Sequence, residues 1–133
     1  MNVEINHATL KAFIRDALGC GCPEEVFENM TCQKETLGDT PGTLIQVGGR
    51  LLVFIWTLDN PGDIPRKLAD LVKAGRSKRD TLAFNRFRLV LLTEETAIPP
   101  EDIQDRFLEL IGDDDKAHLH ILQPATVPTF ILG

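Results

Sequence analysis

The sequence predicts a single α/β domain spanning 1–133, with a mixed sheet of four or five strands and helices on its faces. Three observations carry this expectation. Two β-rich runs, Thr43–Val47 and Leu51–Leu58, flank Gly48-Gly49 and read as a hairpin, since both glycines accept positive φ. From Leu51 onward strand and helix patterns alternate, the grammar of right-handed parallel crossovers. The run Leu51 to Trp56 is apolar on both faces, as a central strand covered from two sides would be.

Each element has its own justification. Leu10, Phe13, Ile14, Ala17 and Leu18 fall on one helical face, with Asn6 as N-cap and Gly19 as the residue that ends the helix. Pro23 suits the first position of a second, short helix, with Glu24 and Glu25 at its positive dipole end and Val26, Phe27 and Met30 as its apolar side. A short edge strand falls around Thr31 to Leu37, and Asp39-Thr40-Pro41-Gly42 has turn chemistry. After the hairpin, Asn60-Pro61-Gly62-Asp63 forms a loop ending in an N-cap aspartate. Ile64, Leu68, Leu71 and Val72 mark a helix closed at Gly75, and a polar connection runs from Arg76 to Asn85. Phe87 to Thr93 is the next buried strand. A helix opens at Pro99-Pro100, turns Ile103, Phe107, Leu108 and Ile111 inward, and stops at Gly112. His118 to Leu122 is the last strand, followed by an extended tail from Thr126 to Gly133. The pattern leaves the order of the strands open.

Composition narrows the function classes. A net charge of −6 argues against a general nucleic-acid binder, which needs a basic face. No apolar run is long enough to span a bilayer. The start of the chain carries no secretory signal, and three cysteines without one point to a reducing compartment, the cytoplasm.

All three cysteines lie in the first quarter of the chain. Cys20, Cys22 and Cys32 form a C-x-C-x9-C pattern, and soft thiolates suit zinc or an iron–sulfur cluster. Gly21 allows the C-G-C loop to turn sharply, so that two sulfurs can face one way. Closed sites take four ligands, so a fourth must come from His118, His120, a carboxylate such as Glu24, or a second subunit. A thiol oxidoreductase with Cys22 as nucleophile at a helix start competes with this reading, although Glu24 and Glu25 disfavour a thiolate there. So does plain packing, because free cysteine behaves as a small apolar residue.

His118-Leu119-His120 places two imidazoles on one strand face. Asp113-Asp114-Asp115 lacks the alternating oxygens and glycine of a calcium loop and reads as a solvated turn. Asp59 and Asn60 sit at the carboxyl end of the central strand, where open sheets hold ligands, or simply end the strand. No phosphate loop, nucleophile elbow, zinc-protease helix or dinucleotide fingerprint occurs, so no catalytic residues are assigned.

Charge is unevenly spread. Arg66, Lys67, Lys73, Arg76, Lys78, Arg79, Arg86 and Arg88 face only Asp70 and Asp80 within 66–88, a net +6, so the remainder carries −12. Arg66, Lys67, Lys73, Arg76, Lys78 and Arg79 are the candidate partner or anion patch. Two main readings follow. One is a small accessory protein with a cysteine-ligated metal or iron–sulfur site, in electron transfer or metal handling. The other is a non-catalytic module that binds a protein partner, or itself as a homo-oligomer, through the basic segment.

Overall fold

In a computed structural model, residues 7–19, 24–57, 64–93 and 99–127 are described. β3 (Leu51–Thr57) forms the middle of the sheet, buried at every residue but its last. It pairs antiparallel with β2 (Thr40–Val47) on one side and parallel with β4 (Arg86–Leu92) on the other. β1 (Met30–Leu37) lies antiparallel outside β2, and β5 (Ala117–Leu122) lies parallel outside β4. The five strands therefore stand in sequence order, and only β2 runs against the rest.

α2 (Ile64–Thr81) and α3 (Pro100–Ile111), each falling between two parallel strands in the chain, lie on one face of the sheet. There Leu68 and Leu71 of α2 and Phe107 of α3 pack with Leu52, Phe54, Phe87 and Leu89. The opposite residues of the same strands, Val53, Ile55, Val90 and Leu92, turn the other way. They meet an N-terminal layer made of α1 (His7–Ala12), a π-helical turn over Phe13–Ala17 and a 3-10 turn over Glu24–Glu28. No helix among the described residues is long and apolar enough to cross a membrane.

Five local readings need correction. The first hairpin turns at Gly38-Asp39, with Gly38 at φ +59°, and Thr40, Pro41 and Gly42 already belong to β2. Pro41 is tolerated because β3 pairs with β2 only from Thr43 onward, leaving the proline beyond the β3 ladder. Gly42 is needed because a Cβ there would strike the Phe54 ring and the Ile55 carbonyl.

The helix α2 does not stop at Gly75 but continues to Thr81. That glycine is a packing residue, since a side chain would drive into the Phe87 ring. The helix ends instead through Phe84 N–H to Arg79 C=O at 2.8 Å, with Ala83 at φ +59°.

The first helix widens into a π turn, with the Leu18 amide donating to the Phe13 carbonyl at 3.3 Å. This keeps Phe13, Ile14 and Leu18 all buried. Leu108 of α3 is 57 % exposed rather than inward. The β2–β3 loop also takes in Arg50, whose amide donates to Val47 C=O at 3.0 Å.

Candidate functional site

The predicted site residues fall into three places. Cys20 and Cys22 lie outside the described residues, as do Asp59, Asn60 and the tail beyond Val127. Cys32 is on β1, 4 % exposed, among Phe13, Met30 and Ile45 on the sheet face that meets the N-terminal layer. Burial pushes its thiol up, against a weaker pull from Lys34, so the sulfur is held as a neutral thiol. Among the described residues no three metal-ligating side chains come together. Cys32 on its own is a core residue.

The basic segment proves to be wired inward over its second half. Asp114, in the turn between α3 and β5, accepts from Arg79 Nη1 at 2.8 Å and from Arg76 Nε at 2.9 Å. Its other oxygen accepts the Lys116 amide at 2.9 Å. Arg79 Nε also donates to Asp80 at 3.0 Å, and Lys78 reaches Glu35 of β1 at 3.1 Å. Burial pushes the Asp114 carboxyl up, but the Lys116 amide and the two guanidinium groups outweigh it and hold it below its ordinary value. Burial likewise works against the charge on Arg79, and the bonds to Asp114 and Asp80 reverse that and raise it. Within the acidic turn read from sequence as solvated, Asp114 is therefore the clasp of this network, while Asp113 and Asp115 are exposed. Of the six predicted patch residues, Arg76, Lys78 and Arg79 are spent on internal ion pairs, while Arg66 and Lys73 are exposed and Lys67 half-buried on α2.

No family model, curated protein or solved structure matches the chain.

The third place joins residues that the sequence offered separately. β4 and β5 pair Arg88 with His118 and Val90 with His120, so Arg86, Arg88, His118 and His120 share one face by alternation. Arg88 is 9 % exposed, and its Nη1 donates to the Leu18 carbonyl at 2.8 Å and to His120 Nε2 at 2.9 Å. That carbonyl is free to accept because it lies past the last helical bond of the π turn. Arg86 Nη1 stands 3.3 Å from His118 Nε2. Burial and the neighbouring Arg88 and His118 hold His120 down at about 4, and burial with Arg88 and Arg86 lowers His118 despite Asp115 and Asp114. Both imidazoles are neutral at neutral pH, and in His120 Nε2 is the acceptor, since a guanidinium can only donate. The R-x-R and H-x-H spacings were legible. What hid the cluster was the unassigned neighbour relation of the two strands.

An open hollow of about 570 Å³ lies at the amino ends of the parallel strands, lined by Arg50, Asp80, Phe84, Asn85 and Lys116 among others. Among the described residues its lining mixes both charges and holds no cysteine, serine, threonine or histidine.

Proposed function

We propose that the chain is a non-catalytic interaction module that associates with a second copy of itself in the cytoplasm, through the layer formed by α2 and α3. The observation behind this reading is the opposite charge of two adjacent exposed helix faces. α2 presents Arg66, Lys67 and Lys73 against Asp70, while α3 presents Glu101, Asp102, Asp105 and Glu109 against Arg106. A two-fold axis between copies would lay each basic helix on its partner's acidic one, the self-complementary arrangement of an isologous dimer. At the C-terminal half of α2, by contrast, Glu35, Asp80 and Asp114 are engaged by Lys78, Arg79 and Arg76. Leu108, exposed on α3, offers apolar area inside such a contact.

A charge-swap experiment tests it. Lys73→Glu and Asp105→Lys each weaken self-association, and mixing the two variants restores it as a heterodimer. Restoration by neither mixture nor low salt would refute the arrangement.

The cysteine-site reading has one observation in its favour. Cys32 faces the layer whose chain runs from Leu18 and Gly19 toward Cys20 and Cys22. Its burial and neutral thiol weigh against it. Elemental analysis of anaerobically purified protein decides this reading, one equivalent of zinc or iron supporting it and metal-free protein removing it.

A further inference from the structure

Among the described residues, Arg88 stands out as a buried charge without a counter-charge. Among the described residues its hydrogen bonds go to a neutral carbonyl and a neutral imidazole, and its Nε is buried with no acceptor. The nearest charged group that acts on it is another cation, Arg86, and burial together with that repulsion depresses its basicity. Asp114 and Asp115 act on His118 from the α3–β5 turn, but they do not bond Arg88. An unpaired buried guanidinium is costly, and folds retain one chiefly where something else completes it.

The geometry says what would complete it. Nη1 is already engaged and Nε is sealed from solvent, so an anion would enter at Nη2 and take up Nε as the second prong of the fork only when the groups covering it give way. Around that group stand Arg86, exposed at the rim, and His118, half-buried beside it, so donors run from the surface inward along one sheet face. Two guanidinium groups offer more donors than a single carboxylate can accept. We propose that Arg88, Arg86, His118 and His120 form a binding site for a small phosphate-class oxyanion, with Arg88 as the fork and Arg86 and His118 at the entrance. Binding of a dianion there would raise the basicity of the neighbouring imidazoles. This site lies on the N-terminal-layer face, opposite the α2–α3 layer, so it stands or falls independently of the self-association reading.

The test follows the imidazole C–H signals of His118 and His120 by NMR at neutral pH. Inorganic phosphate is titrated at constant ionic strength against chloride, with acetate as a second control and phosphoserine as a second arm. Saturable movement of both signals with phosphate, and not with acetate, is the expected result. Movement with phosphoserine as well would assign the site to phosphoryl groups on larger molecules, and movement with phosphate alone to the free ion. Arg88→Met, which removes the charge while keeping an apolar stem, abolishes the response. Arg88→Lys, lacking the fork, weakens it about tenfold or more. Should the Arg88 variants not fold, Arg86→Gln at the exposed rim still weakens phosphate binding several-fold. Equal responses to acetate and phosphate, no response at all, or a response unchanged in Arg88→Met and Arg86→Gln would overturn the proposal.

Discussion

Replacing Asp114 by asparagine tests the ion-pair clasp that ties the basic segment to the rest of the fold. The amide keeps the shape and one acceptor oxygen but loses the charge that Arg79 and Arg76 share. Side-chain exposure is 8 % for Arg79 and 11 % for Asp114, so water cannot easily replace what is lost. Breaking a fully buried ion pair costs about 3–5 kcal/mol. Here Arg79 retains Asp80, whose side chain is 69 % exposed and therefore a weaker partner, and Arg76 is itself over a third exposed. The expected loss is accordingly about 2 kcal/mol, below the fully buried range.

Urea unfolding at neutral pH reads this loss as a lower midpoint with an unchanged slope. The pH dependence fixes its origin. Because the folded carboxyl titrates below its ordinary value of 3.8, its contribution is complete above that value and disappears as pH falls through the folded pKa. The gap between wild type and Asp114→Asn should therefore close in strong acid. A gap below about 0.5 kcal/mol at neutral pH, the size of an ordinary surface change, would refute the clasp. So would a gap that persists unchanged in acid.

Three further outcomes follow from particular contacts. Gly75→Ala should destabilise by about 1–3 kcal/mol despite alanine's better helix propensity, because the new methyl meets the Phe87 ring, and Phe87→Leu in the same chain should recover part of the loss in urea unfolding. Ala83→Gly should raise stability by about 1 kcal/mol, read as a higher thermal midpoint, since Ala83 sits at φ +59° in the C-terminal cap of α2. Cys32 should react with a thiol reagent only at the rate of unfolding, and Cys32→Ser should cost about 1–3 kcal/mol by placing a hydroxyl among apolar neighbours; a fast reaction in the folded protein would contradict the burial.

The parts of this fold that were legible in the sequence are those governed by local chemistry. Gly48-Gly49 announced its hairpin, and both residues take positive φ. The doubly apolar run of β3 announced the centre of the sheet. Gly112, at φ +60°, ended α3 where the sequence put it. Misreadings arose where a residue with a strong local meaning was serving a distant partner. Gly75 looks like a helix stop, yet it is small so that β4 can place Phe87 against α2. Pro41 looks like a turn, yet it occupies a ladder position that β3 does not reach.

The candidate site was legible to a smaller degree for the same reason. A charge count along 66–88 cannot know that Glu35 and Asp114 arrive from β1 and the α3–β5 turn, and so it overstates the free positive charge. The pairing of Arg88 with Leu18, seventy positions apart, depends on the N-terminal layer folding across β4. Three cysteines close together in sequence suggested convergence; Cys32 is a core side chain of an edge strand, and Cys20 and Cys22 lie outside the described residues.

On our proposal, oppositely charged helices on one face bring two copies together. Sedimentation equilibrium over a range of salt concentrations tests it most directly. A mass of twice 14.8 kDa at low salt that falls toward the single-chain value as salt screens the contact is the predicted result. A single-chain mass at low salt, at protein concentrations well above micromolar, would contradict it.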